Sequence, residues 1–153
     1  MCVAACNADV IAVSLDPPLL SGVPGTSLTF SGTLLNSTGA TLFLNSVELN
    51  LSGGFLPTDE DTTPFFVNAP LFLGGNASTL SIDLFTISIP NYVVQGPYSG
   101  TFDLLGGADE NAQDTIGEEN FTVQVANVPE PDFALPVLVA LSAILIAFRP
   151  SAA

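Results

Sequence analysis

The chain has 153 residues, 48% of them hydrophobic and only 10% charged, with 15 acidic residues against a single basic one, Arg149. Such a surface repels phosphate and anionic lipid, which speaks against nucleic-acid binding and against any nucleotide site built on a lysine. Histidine is absent, which removes the commonest general base, the Ser-His and Cys-His nucleophile pairs and the commonest zinc ligand.

The first residues, MCVAACNADVIAV, begin apolar. Cys6-Asn7-Ala8 has the small-x-small form of a signal-peptide cleavage site, and Val3-Ala4-Ala5-Cys6 resembles a bacterial lipobox. Neither has its upstream half. Residues 1–8 therefore read as the remnant of a signal peptide, with a frayed apolar N-terminus as the plainer alternative. Cys2 and Cys6 are the only cysteines. A bridge across so short a segment would stabilise little, so no structural disulfide is expected in the domain that follows.

From residue 9 to residue 127 the pattern is β. DVIAVSL is a first strand. SLTFSGTLLN alternates Leu28 and Phe30 with Thr29 and Ser31, the period of a half-buried strand. TLFLNSVELNL puts Val47, Leu49 and Leu51 on one face and Glu48 and Asn50 on the other. The proline-bearing stretch FLPTDEDTTPFFVNAPLFLGG forbids a central strand. It reads as a loop followed by one or two short edge strands around Phe65–Val67 and Leu71–Leu73. TLSIDLFTISI shifts phase near Phe85-Thr86, the mark of a bulge. YSGTFDLLG and NFTVQVAN complete the set, with Phe121, Val123 and Val125 facing inward. Tyr98 and Phe102 are expected in the core, with Gly100 allowing a close backbone approach. About seven strands at regular turn spacing predict an all-β, antiparallel immunoglobulin-like sandwich. A barrel is the main alternative.

The chain then changes character. Phe133 to Phe148 is a run of 16 residues with no charge. As a helix it reaches roughly 24 Å, slightly short of a ~30 Å hydrocarbon core. Pro136 falls in its first turn, where a missing N–H costs little. Arg149 follows the span, so the positive-inside rule places the C-terminus in the cytoplasm and the β domain outside. A buried C-terminal helix of the domain is the alternative, but a sandwich has no obvious place for a helix that is apolar all round.

Val128-Pro129-Glu130-Pro131, the apolar run and Arg149 together resemble the PEP-CTERM sorting signal of Gram-negative bacteria. The usual basic cluster is reduced here to Arg149. TPFFVNAPLFL and GPYSGTFDLLGGADENAQDTIGEENFTVQV likewise resemble domains found before such tails. The resemblance implies an exported protein, residues 128–153 as the sorting tail, and Pro129, Glu130, Pro131 and Arg149 as the signal. It implies an exosortase-type membrane processing enzyme as partner, and a link to exopolysaccharide. The inner membrane is the expected location, with the β domain outside or passed on to the surface or extracellular matrix.

Two acidic clusters remain, Asp59-Glu60-Asp61 and the loop GGADENAQDTIGEEN. Oxygen-rich loops bind Ca²⁺, which makes Asp109, Asp114 and Glu118 weak metal candidates. Their spacing is not that of an EF-hand, and a solvated loop is the favoured reading, so neither metal nor cofactor is expected. Paired acids also suit a glycoside hydrolase, but no tryptophan platform or basic partner supports a sugar cleft. No catalytic residue is assigned. The expected function is a non-enzymatic structural or adhesive β domain on a sorted, membrane-anchored chain. A secreted carbohydrate-binding module is the alternative, and a carboxylate-dependent glycoside hydrolase a more distant one. Four formal glycosylation sequons, the first at Asn36-Ser37-Thr38, carry no weight in a chain so rich in Asn, Ser and Thr.

Overall fold

Alternation along the long strands decides the architecture. A computed structural model describes residues 10–127. The signal remnant, the sorting motif and the apolar span 133–148 lie outside the described residues. In chain order the elements are β1 (Ile11–Leu15), β2 (Leu19–Gly22), β3 (Ser27–Asn36), β4 (Leu42–Leu51), a 3-10 turn (Pro57–Asp59), β5 (Glu60–Asp61), α1 (Thr63–Asn68), β6 (Phe72–Leu73), β7 (Ile82–Ser88), β8 (Gly96–Gly107) and β9 (Asp114–Val125). They form two sheets, ordered β1-β3-β7-β5 and β2-β9-β8-β4-β6. The sandwich expected from sequence is therefore present, and the barrel alternative is not.

The core between the sheets is aromatic. Phe30 and Phe85 stack from the first sheet at a centroid separation of 4.8 Å. Phe102 and Phe121 meet Phe85 from the second at 5.4 and 4.8 Å. All four are essentially inaccessible to solvent, and burying each large apolar side chain contributes about 1.5–3 kcal/mol. Tyr98 stays partly exposed and meets Phe55 edge-on at 5.3 Å. A Cβ on Gly100 would lie 2.5 Å from the Phe121 ring, so the close approach expected at this glycine is real.

The bulge lies in β7. Phe30 pairs with Phe85, but the next residue, Ser31, pairs with Asp83. Leu84 is the extra residue, and both it and Phe85 are buried. The change of phase thus turns two consecutive side chains into the core, one residue earlier than the pattern indicated.

Three expectations need correction. First, the sandwich is not purely antiparallel, because β2 pairs parallel with β9 from Leu19↔Thr122 to Gly22↔Val125. Pro17 and Pro18 lack the N–H needed to continue the β1 ladder. At that corner the chain crosses from the first sheet to the second. Second, Phe65–Val67 is not an edge strand but lies in α1. Pro64 sits in its first turn, where its missing N–H costs nothing. The Asp61 carboxylate accepts the Thr63 N–H at 2.9 Å just ahead of the helix. Third, nine strands replace about seven. The additions are short segments paired at sheet edges, β2 beside β9 and β5 beside β7. The edge strand expected around Leu71–Leu73 is present as β6.

A fully buried polar side chain ties this edge to the rest. Asn36, at the end of β3, donates from Nδ2 to the carbonyls of Ala40 (2.8 Å), Leu73 (2.9 Å) and Gly74 (3.1 Å). Its Oδ1 accepts from the Thr38 N–H at 2.9 Å and the Thr38 hydroxyl at 2.7 Å. One amide therefore fixes both the β3–β4 connection between the sheets and the far end of β6. With that nitrogen enclosed, the first sequon is not an acceptor on the folded chain.

Candidate functional site

The outward face of the five-stranded sheet carries polar rows set by strand register. Glu48 of β4 lies opposite Asp103 of β8, and Asp103 lies opposite Glu118 of β9. Three carboxylates on neighbouring strands thus form one transverse row. Like charges placed directly opposite one another are unfavourable, and the residues 10–127 contain no Lys, Arg or His to offset them. Partial burial, together with the Glu48 charge, holds the Asp103 carboxyl above the ordinary aspartate range.

The next row is neutral. Asn50, Thr101 and Asn120 lie in register. With Ser52, Ser99 and Gly100 they line a shallow open hollow of about 230 Å³. The Ser52 hydroxyl and N–H both reach the Ser99 carbonyl, at 3.0 and 3.3 Å, closing one end of it.

A second hollow of about 260 Å³ lies at the sheet edge. It is lined by Phe43, Leu44 and Asn45 of β4, Phe66 of α1, Leu71 and Glu110. The surrounding surface is apolar, since Phe66, Val67, Leu71 and Phe72 are all more than half exposed.

The residues expected to form a metal loop do not converge. The turn between β8 and β9 is short, and Asp114 and Glu118 belong to β9. Asp114 pairs with Gly106 and Glu118 with Asp103, leaving them about 13 Å apart along the strand. Asp109 lies in the turn. Its carboxylate accepts the Asn111 N–H at 2.9 Å, and its carbonyl accepts from the Asn45 amide at 2.9 Å. The loop is shorter than expected because both strands extend through its glycines, with Phe43 paired to Gly107. Among the described residues no three His, Cys, Asp or Glu side chains are placed to share a metal ion.

The other acidic cluster serves the local backbone. The Asp59 carboxylate accepts the Leu56 N–H at 2.8 Å and the Tyr92 hydroxyl at 3.2 Å. Hydrogen bonds from the Thr63 hydroxyl and N–H hold the Asp61 carboxyl below its ordinary range. Burial pushes the Glu60 carboxyl above its ordinary range.

No family model matches this chain, and no characterised protein matches it by sequence. Several solved β domains resemble it in structure. One is part of the secreted serine protease VesC from Vibrio cholerae, at 15% identity and a TM-score of 0.50. The match covers 84% of this chain and 26% of the protease, so the chain spans about a quarter of that protein's length. The ASH/PapD-like domain 7 of human CEP192 is similar at 10% identity and a TM-score of 0.44, covering 82% of this chain and 92% of that one. WR4, an MSP family member from C. elegans, is similar at 12% identity and a TM-score of 0.40, covering 74% and 97%. At these identities the likeness concerns the fold alone. Among the described residues no helix is long and apolar enough to cross a membrane. Pro129, Glu130, Pro131 and Arg149 lie outside the described residues.

Sequence reasoning missed the carboxylate row and the structural use of Asn36. Glu48 was recognisable as outward from its strand pattern. Its alignment with Asp103 and Glu118 depends on β4 pairing with β8, a strand far along the chain, and on β8 pairing with β9.

Proposed function

We propose that this chain is an exported, membrane-anchored or cell-surface protein, sorted by a C-terminal PEP-CTERM signal. Its sandwich is a non-enzymatic structural or adhesive domain. The observation that carries the reading is the tail itself: Pro129-Glu130-Pro131, a 16-residue uncharged run and Arg149, beginning four residues after β9 ends at Val125. Proline fixes its own φ and restricts the residue before it. Such a sequence favours an extended peptide, the form a processing enzyme grips. The apolar run would hold that peptide at the membrane surface, within reach of an embedded exosortase-type enzyme. Exopolysaccharide is the matrix partner that the resemblance implies.

Intact-mass measurement on protein from its native host tests this. A species truncated near Pro131 is expected. Replacing all three residues with Ala should leave the β domain folded and the tail uncut. A wild-type species still ending at Ala153 in cells with an active exosortase would make the tail a plain anchor.

The hollow at Asn50, Thr101 and Asn120 favours a second reading, a carbohydrate-binding module. Its amides and hydroxyls suit sugar hydroxyls. Binding on a glycan array that is lost on Asn120→Ala would support it.

A further inference from the structure

β4 is the strand next to the edge of the five-stranded sheet, and its cover is incomplete. β6 pairs with it only at Leu42↔Leu73 and Phe43↔Phe72. Among the described residues no strand lies beside β4 beyond that point. At one end of the exposed stretch the Leu44 N–H donates to the Leu71 carbonyl at 3.0 Å. The Ser52 N–H turns the other way, to Ser99 of β8. Alternation along the strand therefore aims the N–H and carbonyl groups of Leu49 and Val47 in the same direction as Leu51, away from β8. That leaves a window of two donors and two acceptors, enough for a strand of four or five residues.

Proteins commonly protect such an edge with lysine, proline or a covering loop. Here the side chain that projects outward between the two unpaired residues is Glu48, which is exposed and stands in the row with Asp103 and Glu118. A second copy of this chain pairing two-fold across the window would bring Glu48 against Glu48, in a chain of formal net charge −14. An incoming strand with a cation beside Glu48 meets the opposite condition. At one end of the window, Phe43, Phe66 and Leu71 line the apolar hollow, which suits an apolar side chain near the end of that strand.

We propose that the β4 edge from Val47 to Leu49 takes up an extended peptide segment of a partner protein, with Lys or Arg alternating with apolar residues, added as a further strand of the sheet. Backbone hydrogen bonds would supply affinity, and Glu48 with the apolar hollow would supply selectivity. This goes beyond the sorting reading and does not depend on it.

The test uses the full chain in detergent and an eight-residue peptide of alternating Lys and Val. Amide hydrogen exchange is followed residue by residue. Val47 and Leu49 are expected to exchange quickly in the free chain and at least tenfold more slowly with peptide. Glu48→Lys is expected to weaken binding at least tenfold. A peptide of the same composition with its lysines in one block should not protect these two amides. Equal binding of both peptides without protection at Val47 and Leu49 would reduce the effect to general attraction by an acidic surface and overturn the proposal. Protection of the same amides by raised protein concentration alone would assign the edge to a second copy, and would overturn it as well.

Discussion

The strands β3, β7, β8 and β9 and the segment 52–81 bury comparable aromatic residues in different ways. In the strands, Phe30, Phe85, Phe102 and Phe121 come inward because alternation puts them there. In the segment, Phe65 is 1% exposed while its neighbour Phe66 is 58% exposed. The six-residue α1 closes the side of the sandwich with one ring, set 6.5 Å from Phe102. The other ring is left outside, at the hollow near β4. A long strand carries its own burial code. A short crossover element acquires one from the surface it covers.

Denaturant unfolding would break that contrast most sharply. Phe85→Ala should cost about 3–5 kcal/mol, because Phe85 touches three other rings and the cavity cannot collapse. Phe66→Ala should change stability by less than about 0.5 kcal/mol, as exposed substitutions usually do. Similar losses at both positions would mean that the segment is as deeply built in as the strands.

Asn36→Ala probes the join between the two regions. It removes the amide that satisfies Ala40, Leu73, Gly74 and Thr38, and a loss of about 2–3 kcal/mol is expected. The loss should be accompanied by faster amide exchange at Leu42 and Leu73, whose pairing it supports. A loss without that local signature would separate β6 from the β3–β4 connection.

The smallest effect concerns the carboxylate row. Asp103→Asn should raise stability at neutral pH by about 0.2–1 kcal/mol, since it relieves repulsion between directly opposed charges. The sign follows from linkage. Partial burial first, and Glu48 second, raise the folded Asp103 pKa. The folded chain therefore binds that proton more readily than the unfolded chain, and the wild type gains stability as pH falls through the raised value. The advantage of the variant should be full above that value and shrink as pH falls through it towards about 4. A gain that persists unchanged under acid conditions would rule out charge as its source.

The long strands were legible because their side chains alternate over many residues, as in Phe121, Val123 and Val125. Even the β7 bulge left a trace, since Leu84 and Phe85 are apolar neighbours that no regular strand could both bury. The four-residue β2 left none. Leu19 to Gly22 is too short to show a period, and its parallel pairing with β9 depends on where the proline corner sends the chain. The helix at Thr63–Asn68 was misread because six residues with adjacent phenylalanines suit a short strand equally well. Of the surface rows, strand patterning could supply the direction of Glu48 but not its neighbours, which are fixed by two separate pairings.

The parallel β2–β9 pair also has a mechanical meaning. The described chain enters beside Gly117, where a Cβ would lie 2.6 Å from the Ile11 carbonyl oxygen, and leaves past Val125 at the other end of the sandwich. Tension between these two points runs along the strands. It loads the four β2–β9 residue pairs and the β1–β3 ladder in shear, so their hydrogen bonds must yield together instead of opening one at a time. For a domain pulled from its C-terminal side, the strand order itself is the brake on extension.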